Sequence, residues 1–160
     1  MLEHLKAILK SLIPVHHMTP NEILKDWALS YVGTDASPDD EASDIYGCVD
    51  SFEEVIHSAI GEYVGAKKTL STYYLRKDLL NSQRFQRVYN PKPGTVILCA
   101  TGYGGKNGVK NGHVGIVIDD RIASNDSRTG TWELAFTLDS WLRYFQKRGG
   151  YEVLFFDLKY

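Results

Sequence analysis

The chain has 160 residues, 43% of them hydrophobic and 24% charged, which suits a single globular domain spanning residues 1–160. Its 18 basic and 20 acidic residues leave a net charge of −2, so there is no surplus of positive charge to neutralise a phosphate backbone, and general nucleic-acid binding is disfavoured. Two cysteines are too few for a disulfide framework, although one bridge is compatible with the sequence. The sequence has no apolar run long enough to cross a bilayer.

Residues 1–18 are predicted to form an amphipathic helix that extends the domain. Apolar residues recur there at helical spacing: Leu5, Ile8, Leu9 and Leu12. Glu3, Lys10 and the lack of a small-residue cleavage site argue against a secretory signal peptide, so we expect synthesis in the cytoplasm. Packing on the domain is the favoured role of this helix, and a membrane-surface or partner helix is the alternative.

The following segments predict a helical first half. Residues 20–32 should form a helix with Thr19 as its cap and Pro20 in its first turn. Residues 33–44 are polar and turn-rich, which predicts a loop. A strongly amphipathic helix follows, with apolar positions at Phe52, Val55, Ile56, Ala59, Ile60 and Tyr63. Residues 66–90 are expected to be helical or irregular, with one helix over residues 71–82.

After the break "NPKPG" the pattern changes to short apolar strands. Strands are predicted over 95–100, 113–118, 121–125 and 151–156, with a glycine-rich loop over 101–112 and a short helix over 137–147 capped by Thr137 or Asp139. Helices first and an antiparallel sheet second indicate an α+β fold with N-terminal helices packed on a C-terminal sheet.

Cys48, in the stretch "DIYGCVDSFEEV", is the candidate nucleophile. Its spacing to Phe52 also fits a small apolar core residue. A position at the start of a helix, however, favours the thiolate through free backbone N–H groups and the helix dipole. Gly47 beside it allows a substrate or another chain segment to approach closely.

A nucleophilic cysteine needs a base, and His113 is the better of two candidates. His57 lies nine residues after Cys48 on the same predicted helix, about 13 Å along it and on the opposite side, so it should face solvent. His113 begins a strand and shares one strand face with Gly115 and Val117, while the other face is core.

A third residue should orient the imidazole, and the turn after Ile118 decides which one. With a two-residue hairpin loop, Ser124 and Asp126 share the face of His113. With a three-residue loop, Asn125 and Ser127 do so.

These elements, in this order, resemble the papain-like NlpC and CHAP families of cysteine amidohydrolases and peptidases. The order is a cysteine at a helix start, then "PKPGTVIL", then "GHVGIVI", then a polar residue ending the next strand, and the resemblance covers about residues 23–157. In the NlpC-type pattern the third residue follows the histidine by twelve positions, which is Asn125 here, and this favours the three-residue loop or an equivalent bulge. Around the cysteine, the usual Asp-Cys-Ser-Gly is replaced by "GCVD".

The resemblance implies a papain-like fold and a catalytic set of Cys48, His113 and Asn125 that cleaves an amide in the peptide part of peptidoglycan through a thioester. Gly47, Gly112 and Trp132 are the candidate substrate-binding residues, and Trp132 is also a candidate for packing. Lys106 and Lys110 on the glycine-rich loop are candidates to meet substrate carboxylates, although a solvated loop charge is the favoured interpretation. The chemistry needs no metal or organic cofactor, and the sequence has no zinc-type Cys/His spacing.

Action on the cell wall, as a phage lysin, a virion hydrolase or an exported effector, is the expected setting. Two alternatives remain open. One is a papain-like protease, deamidase or acyltransferase acting on a protein or lipid. The other is a catalytically inactive binding module of the same fold. The sequence leaves the oligomeric state undetermined.

Overall fold

The computed structural model describes residues 17–37 and 47–160. The helix predicted over residues 1–18 therefore lies outside the described residues, apart from His17 and Met18, which are not helical. The first half of the described chain forms the helices α1 (Pro20–Ser30), α2 (Gly47–Ile60) and α3 (Thr72–Asn81). The second half forms the strands β1 (Phe85–Val88), β2 (Val96–Cys99), β3 (His113–Ile118), β4 (Arg121–Asp126), β5 (Thr131–Thr137) and β6 (Leu154–Leu158), with a short helix α4 (Leu138–Trp141) and a π-helical segment (Leu142–Arg148) before β6.

The strands form one antiparallel sheet in the order β1-β6-β2-β3-β4-β5. The predicted α+β class, with helices packed on a C-terminal sheet, is confirmed. Two strands were not predicted, and both lie at the edges of the sheet. β1 falls in the segment expected to be helical or irregular, and it has only four residues. β5 pairs irregularly with β4, but Trp132, Leu134 and Phe136 alternate along it with small or polar residues, so a strand signal was present in the sequence.

Helix α1 begins where the sequence predicted. Thr19 Oγ1 accepts a hydrogen bond from Glu22 N at 3.3 Å, and Glu22 Oε2 accepts one from Thr19 N at 2.7 Å. This reciprocal pair satisfies two backbone N–H groups that would otherwise lack helical partners. Thr137 caps the short helix before the π-helical segment in the same way, through Ser140.

The sheet separates two hydrophobic clusters. On one face, α1, α2 and α3 bury a large cluster that includes Cys48, Phe52, Val114, Ile116 and Trp132. On the other face, Trp141, Phe145 and Tyr151 pack on Val117 and Ile122. The alternation along β3 assigns Val114, Ile116 and Ile118 to the helix face, as predicted.

A buried polar contact fixes α1 to the sheet. Asn21 Nδ2 donates to Asp157 Oδ1 at 2.9 Å, and Asn21 Oδ1 accepts from Leu158 N at 3.0 Å. Thr95 Oγ1 donates to the same Asp157 oxygen at 2.6 Å. Gly94 lies so close that a Cβ there would be 2.0 Å from Asn21 O, and its φ of +87° also favours glycine. The first helix is therefore positioned by hydrogen bonds as well as by apolar packing.

Replacing Asn21 by Ala should lower the free energy of unfolding by about 1–3 kcal/mol, because two buried partners lose their hydrogen bonds. Urea denaturation of Asn21→Ala against Asn81→Ala, whose side chain bonds only at an exposed helix end, measures the difference. Equal losses in the two variants would contradict a structural role for the buried contact.

Candidate active site

Cys48 is the second residue of α2 and is almost wholly buried against the sheet, with 6% of its surface exposed. Burial raises the pKa of its thiol to about 12, although interactions with the backbone of Val49, Cys48 and Val114 act in the opposite direction. The thiol is therefore neutral near pH 7. The expectation that a helix start would stabilise the thiolate is corrected, because desolvation outweighs the N–H groups at this position.

His113, the first residue of β3, lies among aromatic rings. Its ring centroid is 5.2 Å from that of Trp141, 5.7 Å from that of Phe145 and 6.2 Å from that of Phe136, and the first two rings are stacked on it. Burial there lowers the pKa of the imidazole to about 4, and the negative charge of Asp126 opposes the shift. The imidazole is therefore an uncharged base near pH 7.

Gly115 does not leave free space on the strand face that it shares with His113. A Cβ at Gly115 would be 2.7 Å from Ile122 Cγ2 and 2.8 Å from Ala123 O. The glycine instead allows β4 to approach β3 closely.

The hairpin between β3 and β4 has a two-residue loop. Ile118 pairs with Arg121, so the expectation of a three-residue loop is wrong. With this register, Ser124 and Asp126 lie on the face of His113, and Asn125 lies on the opposite face. The electrostatic interaction between Asp126 and His113 agrees with this placement.

The Asp126 carboxylate is held by Arg128. Arg128 Nε donates to Asp126 Oδ1 at 3.1 Å, and Arg128 Nη2 donates to Oδ2 at 2.7 Å. These hydrogen bonds are the main reason that the pKa of Asp126 lies below its ordinary value. A fixed negative charge therefore lies on the His113 side of β4.

Asn125 faces α2. Its Oδ1 accepts a hydrogen bond from Ser51 Oγ at 3.5 Å, and a Cβ on Gly47 would lie 3.0 Å from its Nδ2. This placement does not favour the predicted role of Asn125 in orienting His113, because the two side chains leave their strands on opposite faces.

Cys48 and His113 nevertheless reach one cleft of about 840 Å³, from opposite sides of the sheet. Other residues that line it are Lys110, Gly112, Asn125, Asp126, Arg128, Phe136, Tyr144 and Phe145. Within the described residues, no hydrogen bond joins Cys48 to His113. The cleft therefore holds a candidate nucleophile, a candidate base and a carboxylate, without a preformed thiolate–imidazolium pair between Cys48 and His113.

The predicted substrate-binding residues have different environments. Gly112 lines the cleft, and a Cβ there would be 2.2 Å from Cys99 O. Gly47 is not among the cleft-lining residues and instead makes room for Asn125. Trp132 has no exposed surface, and its Nε1 donates to Ala28 O at 3.0 Å. Its burial in the core on the helix face favours packing, the alternative role predicted for Trp132, over substrate binding.

The remaining candidate side chains are all exposed but have different neighbours. His57 is exposed and stacks on Tyr63 at 4.8 Å, as a solvent-face residue should. Lys110 lines the cleft, whereas Lys106 packs its methylene groups near Gly150. Both Cys48 and Cys99 are free thiols, so no bridge joins them.

Sequence reasoning missed the aromatic surroundings of His113 and the Asp126–Arg128 pair. A signal for the first existed in "SWLRYFQK", where Trp141 and Phe145 are four residues apart and so share a helical face. The second could have been found from the spacing of Asp126 and Arg128 after a predicted strand, since an aspartate in a turn commonly bonds two residues ahead.

Among the described residues, no group of three or more His, Cys, Asp and Glu side chains is arranged to hold a metal ion. No helix in residues 17–37 and 47–160 has the length and apolar character needed to cross a membrane. No protein-family model and no curated protein matches the sequence.

Glu53 is a further buried ionisable group on α2. Its Oε2 accepts a hydrogen bond from Val64 N at 3.2 Å, while its Oε1 has no hydrogen-bond partner among the described residues. Burial raises the pKa of Glu53 to about 7, and repulsion from Asp78 adds to this. The helix that carries the candidate nucleophile thus carries a carboxyl group that titrates near neutrality.

His113 and Glu53 should make opposite contributions to the pH dependence of stability. A histidine with a lowered pKa contributes stability that is present above pH 6.5 and lost as the pH falls toward about 4. A glutamate with a raised pKa contributes stability that is present below pH 4.5 and lost as the pH rises through about 7. Each group contributes up to about 3 kcal/mol to the free energy of unfolding. His113→Phe should lose unfolding free energy, relative to wild type, as the pH rises from 4.5 to 7, and Glu53→Gln should gain it.

Urea denaturation of the two variants and wild type at half-unit pH steps measures both slopes. The other titratable groups are common to all three proteins, so only the differences between curves matter. Parallel curves would show that neither group is titrated as its burial implies.

Proposed function

We propose that this protein is a cysteine amidohydrolase or peptidase of the NlpC or CHAP type that cleaves an amide bond in the peptide part of peptidoglycan. The observation that carries the proposal is the shared cleft, in which Cys48 at the start of α2 meets His113 and Asp126 from the sheet. A thiol, an imidazole and a carboxylate around one cleft are the groups that acyl transfer through a thioester requires.

Because Cys48 and His113 are both neutral, general-base catalysis by His113 is favoured over a resting thiolate–imidazolium pair. As the Cys48 sulfur bonds to the substrate carbonyl carbon, the thiol proton passes to His113 and the carbonyl π electrons move to oxygen. The Cys48 backbone N–H, at the helix start, is an oxyanion donor. When the C–N bond breaks, the amine takes the proton from His113. Water, activated by His113, then hydrolyses the thioester and restores the thiol.

Asp126 is the positioning residue in this scheme, replacing the predicted Asn125. It lies on the face of His113, and Arg128 keeps its carboxylate ionised and fixed. A fixed negative charge stabilises the imidazolium that forms when His113 takes the proton. Ser124 shares this face but is wholly buried beside Gly115, so Asp126 is the better candidate.

Peptidoglycan is the favoured substrate because of the family resemblance and the charge of the cleft. Lys110 lines the cleft, and the stem peptides of peptidoglycan carry free carboxylates that this cation can pair with. A site of action at the cell wall, reached from a phage particle, during phage lysis or by export, is part of the same proposal.

Purified cell-wall sacculi incubated with the protein should release new amino groups, detected by derivatisation and mass spectrometry of the fragments. Cys48→Ala should abolish release, and His113→Ala should reduce the rate at least 10²-fold. Cys99→Ala is the control for the loss of a thiol, because Cys99 is wholly buried and does not line the cleft, and it should remain active. Wild-type inactivity, or activity that survives Cys48→Ala, would refute the proposal. Cysteine-dependent turnover of a protein or lipid amide alone would instead support the alternative substrate class.

Replacing Asp126 by Asn should lower kcat about 10²-fold and move the acidic limb of the kcat/KM profile to lower pH, because His113 loses the charge that raises its pKa. Asp139→Asn removes a comparable aspartate–arginine pair on an exposed helix turn and serves as control. A fall in rate with an unmoved pH profile would argue against the positioning role.

A second candidate function, a non-catalytic binding module, is favoured by one pair of observations. No hydrogen bond joins Cys48 to His113 in the described part of the chain, and burial keeps both groups neutral. Iodoacetamide alkylation of Cys48 against pH, in a Cys99→Ala background, tests it. A slow rate that His113→Ala leaves unchanged, together with no turnover of sacculi, would establish the module.

A further inference from the structure

We propose that the side-chain amide of Asn125 is the second oxyanion donor of this site. The inference rests on the proposed cysteine hydrolase function and gives Asn125 a role different from the one that the family resemblance implies. The observation behind it is the position of the amide against the first turn of α2, beside the candidate nucleophile.

The orientation of the amide follows from its contacts. Asn125 leaves β4 on the helix face, and its Oδ1 accepts the hydrogen bond from Ser51 Oγ at 3.5 Å. The Nδ2 end is therefore turned toward Gly47, where a Cβ would be only 3.0 Å away. Glycine at position 47 lets the NH2 group lie directly beside the residue that precedes Cys48.

The amide N–H groups of Asn125 have no partner among the described residues. Asn125 is only 3% exposed, and Nδ2 makes no hydrogen bond to any other described residue. Asn125 and Cys48 both line the cleft. Nδ2 is not among the fully buried side-chain atoms that lack a partner, so it keeps some exposure, and a substrate oxygen bound in the cleft would supply an acceptor.

The chemistry matches this placement. When the Cys48 sulfur adds to a carbonyl, the C–S bond forms, the C=O π bond breaks and its electron pair goes to oxygen. The Cys48 backbone N–H lies at the same helix start that Asn125 Nδ2 faces. Two donors beside one sulfur would hold the developing oxyanion, while Asp126, on the other face of β4, acts on His113. The end of β4 would thus supply both the oxyanion donor, Asn125, and the residue that positions His113, Asp126.

A peptide aldehyde separates this role from general reactivity of the thiol. With N-acetyl-alanyl-glycinal, the thiol S–H adds across the carbonyl, sulfur bonds to carbon and the proton goes to the oxygen, which gives a hemithioacetal held by the oxyanion donors. Iodoacetamide, in contrast, reacts at its CH2 carbon, where the Cys48 sulfur displaces iodide. This reaction forms no oxyanion and needs no oxyanion donor.

Asn125→Ala should weaken inhibition by the aldehyde at least 10-fold and lower kcat on sacculi about 10²- to 10³-fold, while the alkylation rate of Cys48 at each pH stays as in wild type. Gly47→Ala, which displaces the amide without removing it, should weaken aldehyde inhibition as well. Asn125→Asp, whose charge opposes the oxyanion, provides a second variant if the alanine protein does not fold. Asn81→Ala is the control.

Unchanged aldehyde inhibition in the Asn125 variants would overturn the proposal, and so would a parallel loss of aldehyde inhibition and alkylation, which indicates a structural role. Failure of the proposed function is distinguishable, because the wild-type protein would then neither bind the aldehyde nor digest sacculi.

Discussion

The register of the β3–β4 hairpin is the constraint on which the candidate site depends. Because Ile118 pairs with Arg121 across a two-residue loop, successive residues at the end of β4 are directed to different layers. Asp126 lies on the sheet face that carries His113, and Asn125 lies on the face that packs against α2 and Cys48. A shift by one residue would exchange these assignments and put the carboxylate against the helix. The turn Asp119–Asp120 thus determines which polar group serves which partner.

Burial is the second determinant of the site, because it sets the protonation states of Cys48 and His113. The sulfur and the imidazole both lie in apolar surroundings, so each is driven to its neutral form despite a helix start on one side and an aspartate on the other. The same effect acts on Glu53, one and a half turns along α2 from Cys48. Substrate binding, which adds hydrogen-bond partners in the cleft, is the event that would change this balance.

Much of the fold could be predicted from the sequence because its strongest signals are local. The capping box at Thr19 and the apolar period that starts at Phe52 depend on neighbours three or four residues away, and both helices formed, although α2 ends at Ile60, before the predicted position Tyr63. The edge strand β5 could have been predicted from the alternation of Trp132, Leu134 and Phe136. The four-residue edge strand β1 was missed because β6, its pairing partner, lies far along the chain. Pairing between distant segments leaves little trace in a short, half-exposed stretch.

The candidate site could be predicted only in part, because only some of its features are local in the sequence. Cys48 and His113 could be found because a helix start and a strand start are local features, and the cleft brings both together. The choice among Ser124, Asn125 and Asp126 depended on a loop length that the residues alone left open. The depth of burial of Cys48 depends on the sheet beneath it, so the sequence could not show that the thiol would be neutral.

The placement of nucleophile and base in separate hydrophobic clusters makes the two halves of the site independently adjustable. Substitutions among Phe136, Trp141 and Phe145 would alter the polarity around the imidazole and leave the packing of α2 intact. Substitutions around Phe52 and Val55 would move the sulfur without disturbing the aromatic rings. A lineage with this architecture could therefore tune basicity and nucleophile position in separate steps, each tested by selection against an unchanged partner.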